Sequence, residues 1–200
     1  MAKSVARYVG ILGEELAIGN LSRCKGPFSV LISTTAAVGS PSHANILERL
    51  QAYRTDGLSI HLLFIKPNVS PTPNVYLNLA RLMAKTNWTL LLSTDSIRPG
   101  LHRAASGLDL DARKGPIMLT TGSTLYPFPL STAILIKRDS NLWCTERIFF
   151  DPNRHSNWNE CLWQITLETY GMLDVVKLPS KFDISKGEQS NMVLEVCQRV

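Results

Sequence analysis

Several short apolar runs in this chain are apolar at consecutive positions. FSVLIST (Phe28–Thr34), SIHLLFIK (Ser59–Lys66), WTLLLSTD (Trp88–Asp95), TAILIKRD (Thr132–Asp139) and DVVKLP (Asp174–Pro179) show little of the alternation expected of a strand with one wet face. A strand that is apolar on both sides needs cover on both faces, which points to a sheet sandwiched between helices.

The segments between the first runs supply such helices. SPSHANILERLQAYRTDG predicts a helix capped by Ser42, with Ile46, Leu47, Leu50 and Tyr53 as its apolar set and Gly57 as its stop. SPTPNVYLNLARLMAKTN puts Pro73 near a helix start and Val75, Tyr76, Leu79, Leu82 and Met83 on one broad face. NWNECLWQITLETYG starts at Asn157, has Glu160 three residues on and closes at Gly171, the pattern of a capping box with a terminal glycine. The order strand, helix, strand, helix, strand describes an α/β fold with a mainly parallel sheet. Phe28–Thr34, Ser59–Lys66 and Trp88–Thr94 are expected as neighbours in it. The stretch from Arg98 to Pro129 lacks periodicity, is rich in Gly, Pro, Ser and Thr, and reads as a long mobile excursion over the strand ends.

At 200 residues, with 44% hydrophobic and 18% charged content, the chain reads as one domain over 1–200, alone or as a fragment of something longer. The net charge of +5 comes from scattered basic residues without an arginine-rich block, which argues against dedicated nucleic-acid binding. No apolar run approaches the roughly 18–20 residues that span a bilayer. Glu14 and Glu15 interrupt the start where a signal peptide would be apolar, so the chain as given reads as soluble. Cys24, Cys144, Cys161 and Cys197 form no C-x-x-C pair, which argues against zinc and leaves buried thiols or one disulfide. Sequons at Asn20, Asn68 and Asn87 permit a secretory address.

Ligands of open α/β sheets bind beyond the carboxyl ends of the strands, and Asp95 closes the run LLLSTD there. A carboxylate in that place either holds a hard divalent cation that binds phosphates or caps the turn made by DSIRPG. Asp109 and Asp111 have the spacing to share a cation but follow no strand, and read as solvated. Glu160 is either a general base or the second member of the capping box. His61, inside an apolar strand, reads as a core histidine with its hydrogen bonds met. Serine-elbow, dinucleotide and P-loop motifs do not occur.

Three blocks, CKGPFSVLIS, HLLFIKPNVSPTPNVYLNLARLMAKTNWTLLLSTDSIRP and RDSNLWCTERIFFDPNRHSNWNECLWQITLETYG, resemble the LARGE-type (family 49) glycosyltransferases, especially fungal members. The resemblance extends from about Cys24 to Pro179. It implies a GT-A-type, Rossmann-like fold that binds a nucleotide-sugar through a divalent metal, commonly manganese, and transfers the sugar to a glycan or glycoprotein acceptor. It further implies a Golgi or secretory setting, with membrane association through a segment absent here. By the same resemblance Asp95 falls in the acidic metal motif, and Asn78 and Arg81 lie on the helix facing the nucleotide-sugar. Glu146 and Arg147 fall in an ER element, and Trp158 and Glu160 fall in the acceptor-side helix; in a catalytic reading Glu160 is the residue expected to deprotonate the acceptor hydroxyl. The chain departs from the family pattern at Thr94 and Ser96, which flank Asp95 where the family has two aspartates. It departs again near Ser185, where the family has a metal-binding histidine. These departures give a second expectation, a catalytically inactive homologue that keeps the fold as a binding or interaction module.

Overall fold

The computed structural model describes residues 4–10, 27–51, 57–68, 73–92, 101–145, 154–170 and 172–179. Its elements are β1 (Ser4–Gly10), β2 (Phe28–Thr34), α1 (Pro41–Gln51), β3 (Leu58–Phe64), α2 (Pro73–Leu82), β4 (Trp88–Leu91), α3 (Leu101–Ser106), β5 (Ile117–Thr120), β6 (Ala133–Lys137), α4 (Arg154–Glu168) and β7 (Asp174–Lys177). The strands form one seven-stranded sheet in the order β3-β2-β1-β4-β6-β5-β7. Six strands run in one direction. β6 alone opposes them, pairing antiparallel with β4 (Trp88 opposite Lys137) and with β5 (Ile117 opposite Leu135). The fold is thus mixed α/β with a mainly parallel sheet.

Side chains alternate between two covered faces, which is why consecutive positions are apolar. Leu31, Leu91, Met118, Ile134 and Ile136 point to the face carrying α2 and α4, where they meet Tyr76, Leu77, Ala80, Trp158, Leu162 and Ile165. Leu90, Ile117, Leu119 and Leu135 point to the other face and pack with Leu101 and Ala105 of α3. Val30 and Ile32 lie with the half-buried Leu50 of α1.

Several expectations change. Phe28–Thr34 and Trp88–Thr94 are not neighbours, because β1 lies between β2 and β4, with Val5 opposite both Phe28 and Leu90. Residues 98–129 are not a structureless excursion: they contain α3 and β5, and every residue of β5 is buried between β6 and β7. IMLT is too short a run to display a period among glycines and prolines. The cap of α1 is Ser40, whose Oγ accepts the His43 N–H at 3.2 Å, and α1 buries none of its residues fully; Leu47 is exposed. Helix α4 begins at Arg154, so Asn157 and Glu160 lie inside it and form no capping box. Gly57 has the positive φ of 85° expected of a stop, and its carbonyl accepts the Phe28 N–H at 2.7 Å. Cys144 and Cys161, both buried, form a disulfide across a sequence separation of 17.

Candidate functional site

The chain leaves β1 toward β2 and β3 on one side and then returns to place β4 on the other side of β1. Such a reversal parts the connections above two adjacent parallel strands and opens a crevice at their carboxyl ends, where ligands of open α/β sheets bind. Here the switch point falls between the carboxyl ends of β1 and β4, at Gly10 and Leu91, and the segments that follow, 11–26 and 93–100, lie outside the described residues. Asp95 follows four residues after Leu91 and lies outside the described residues, as do Glu146, Arg147 and Ser185.

Beside the apolar Tyr76, Leu77 and Ala80, α2 turns a polar stripe inward. Asn74, Asn78 and Arg81 stand at i, i+4 and i+7, one stripe of a helix, and are 3%, 4% and 1% exposed. Val75, Leu82 and Met83, expected on the buried face, are exposed instead. Part of this stripe serves the segment 140–145, which has no strand partner: the carbonyls of Ser140, Leu142 and Cys144 are met by Arg81 and Asn78. Arg81 Nη2 donates to the Ser140 carbonyl at 3.1 Å and Nη1 to that of Leu142 at 2.8 Å. Asn78 Nδ2 donates to the Cys144 carbonyl, and its Oδ1 accepts the Cys144 N–H at 3.4 Å. Asn74 Nδ2 donates to the Asn157 carbonyl at 2.8 Å, joining α2 to α4.

Arg81 therefore differs from the expectation that it faces a nucleotide-sugar. Its contacts lie next to Lys137, which pairs with Trp88 at the amino edge of the sheet, opposite the crevice. Burial lowers its guanidinium to about 10, with the charge of Asp139 working against the shift, and the Trp143 ring covers it at 4.8 Å. Asn78, likewise, has both ends of its amide on Cys144.

Glu160 is half-buried on α4, and its Oε1 accepts Gln164 Nε2 at 3.1 Å. Gln164 in turn meets Thr145: its Nε2 donates to the Thr145 carbonyl and its Oε1 accepts the Thr145 N–H at 3.0 Å. The structure thus brings Glu160, Gln164 and Thr145 together, one residue before Glu146 in the chain. Gln164 and Asn74 had no counterpart among the expected site residues; their helical spacing to Glu160 and Asn78 is the signal that could have found them. Trp158 is a core residue, 3% exposed, with Nε1 donating to the Thr132 carbonyl at 3.2 Å.

Asp109 and Asp111 are exposed on either side of the buried Leu110, as expected of solvated carboxylates. His61 is not the satisfied core histidine expected. It is half-buried on β3, its Nε2 has no hydrogen-bond partner among the described residues, and desolvation, then the charge of Lys85, lowers its pKa. Among the described residues there is no cluster of three or more His, Cys, Asp or Glu able to hold a metal. No helix among them is long and apolar enough to cross a membrane.

Comparison with protein-family models gives no match, and comparison with curated proteins gives none. Among solved structures the chain is similar to a crystal structure of S. aureus TarS 1–349, a wall teichoic acid glycosyltransferase. The TM-score is 0.47 and the identity 14%, over 88% of this chain and 58% of that one.

Proposed function

We propose that this protein is a glycosyltransferase-like protein that takes a nucleotide-sugar at the crevice between the carboxyl ends of β1 and β4 and passes the sugar to a glycan or glycoprotein acceptor. The observation that supports this most is the reversal of strand order at β1 and β4, which sends the chain into the Asp95 segment from the place where such folds bind ligands. Asp95, with the hydroxyls of Thr94 and Ser96 beside it in sequence, offers a hard oxygen set. One carboxylate suits a cation that completes its shell with substrate phosphates better than one held by protein alone. A manganese ion bound there would neutralise charge on the leaving diphosphate. Glu160, braced by Gln164, is the residue we assign to deprotonating the acceptor hydroxyl. A secretory or Golgi setting belongs to the same proposal, supported by the Cys144–Cys161 disulfide and by the exposure of the sequon residues Asn68 and Asn87.

A second reading, a non-catalytic homologue acting as a binding or interaction module, draws on Asn78 and Arg81. Both were assigned to the nucleotide-sugar, and both bind the backbone of 140–145. Calorimetric titration with nucleoside diphosphates, with and without manganese, separates the two. The enzyme reading requires manganese to tighten binding and Asp95→Asn to remove that gain, while Asp109→Asn with Asp111→Asn leaves it intact. Binding without any response to manganese, or no binding, leaves the second reading.

A further inference from the structure

Strand β3 ends the sheet on one side, and among the described residues nothing pairs with its outer edge. Open edges are ordinarily blunted by short length, a lysine, a proline or a bulge. β3 has none of these. It is seven residues long, LSIHLLF contains no proline and no Lys, Arg, Asp or Glu, and its register with β2 runs unbroken from Leu58 opposite Phe28 to Phe64 opposite Thr34. Its composition is that of a covered strand, yet Leu58 to Leu63 are only half-buried and Phe64 is exposed. The helix above it is equally unfinished. Leu50 of α1 joins the cluster of Ile60 and Leu62, and His43 meets the Phe64 ring edge-on at 5.2 Å, but Leu47, on the same stripe of α1, is exposed.

The free edge has a definite parity. In an extended strand the N–H and C=O of one residue point to one side and those of the next residue to the other. The Gly57 carbonyl accepts the Phe28 N–H at 2.7 Å and the Ile65 N–H donates to the Thr34 carbonyl at 2.9 Å, so the odd-numbered residues face β2. Leu58, Ile60, Leu62 and Phe64 therefore direct both backbone groups away from the sheet. A row of alternating donors and acceptors at this spacing is met by another strand, not by a helix face or a small molecule.

We infer that a second copy of this chain adds its own β3 antiparallel to this edge, with the two-fold axis passing at His61. In that register Leu58 of one copy lies opposite Phe64 of the other, and Ile60 opposite Leu62, so the outward-directed residues meet in hydrogen-bonded pairs. His61 lies opposite itself on the axis. The side chains brought together on the α1 face are all apolar, and each copy covers the half-buried row of the other. Charge agrees at the ends. In sequence Asp56 stands two residues before β3 and Lys66 two residues after it, and the register centred on His61 sets one against the other in both halves of the pair. An in-register parallel addition would instead place like charge on like. The β3 edge shares no strand with the β1–β4 switch point, so this inference and the proposed function stand or fall separately.

Sedimentation of the full chain from about 1 to about 200 µM near neutral pH tests the inference. The mass should rise with concentration to twice the 22.2 kDa of one chain and stop there. Leu62→Pro removes an outward N–H that β2 does not use, a place where an edge strand tolerates proline. That variant should stay monomeric over the same range with the far-UV circular dichroism of the parent. Lys66→Glu sets carboxylates together at both ends and should weaken the dimer by about tenfold, and adding Asp56→Lys should restore it. A parent that is monomeric throughout, or whose mass climbs past the dimer, overturns the inference. So does a dimer that survives Leu62→Pro, one indifferent to Lys66→Glu, or a Lys66→Glu loss that Asp56→Lys does not reverse.

Discussion

Asn78 holds both backbone groups of Cys144, its Nδ2 donating to the carbonyl and its Oδ1 accepting the N–H at 3.4 Å. One side chain thereby does for the segment 140–145 what a neighbouring strand does within a sheet. Cys144 is tied a second time through its disulfide to Cys161 on α4. The face of α2 that a site-based reading assigns to a ligand is occupied in holding the protein's own backbone.

Asn78→Ala should therefore lower stability by about 1–3 kcal/mol, the range for leaving a buried backbone group unmatched. Asn78→Asp should be at least as harmful, because it exchanges the Nδ2 donor for a carboxylate beside the Cys144 carbonyl. Urea unfolding of the two variants checks this. A variant as stable as the parent would show that Cys144 finds another partner.

Arg81→Lys keeps the charge and loses the fork that reaches two carbonyls and lies under Trp143. The expected loss is about 1–3 kcal/mol in chemical denaturation, with no change in manganese-dependent nucleotide binding, since Arg81 stands at the amino edge. A selective loss of nucleotide binding at unchanged stability would return Arg81 to the ligand site.

Replacing Cys144 and Cys161 together by serine should cost about 3 kcal/mol, as expected for opening a loop near this length. The comparison is by denaturation with and without reductant. The parent should approach the variant's stability once reduced, and a parent indifferent to reductant would contradict it.

His61 gives a pH dependence with a definite sign. Its folded-state pKa lies below the unfolded value of 6.5, from desolvation and then Lys85. The neutral ring contributes its full stabilisation above 6.5, and that contribution is lost as the pH falls from there through the folded value. Melting temperature should drop across this acid window in the parent and less so in His61→Leu. Equal slopes for the two proteins would exclude His61 as the cause.

The sheet was legible because burial on both faces imposes a composition any covered strand must satisfy: FSVLIST, WTLL and AILIK are strands for the reason their residues advertise, while LSIHLLF, with the same composition, is a half-buried edge strand. Strand order was not legible. Val5 opposite Phe28 on one side and Leu90 on the other is a pairing between distant segments, and backbone hydrogen bonds carry no side-chain signature. IMLT became a strand because β6 and β7 offered ladders on either side of it. The inner face of α2 was legible only in part: Tyr76 and Leu79 pack into the core as expected, while Val75, Leu82 and Met83 are exposed. Apolar periodicity finds the face that avoids water, whereas this helix turns Asn74, Asn78 and Arg81 inward because unmatched carbonyls are waiting there. Local sequence determined which segments could be strands and helices. Which backbone groups would lack partners, and so which polar side chains had to be buried to meet them, was decided only when the chain came together.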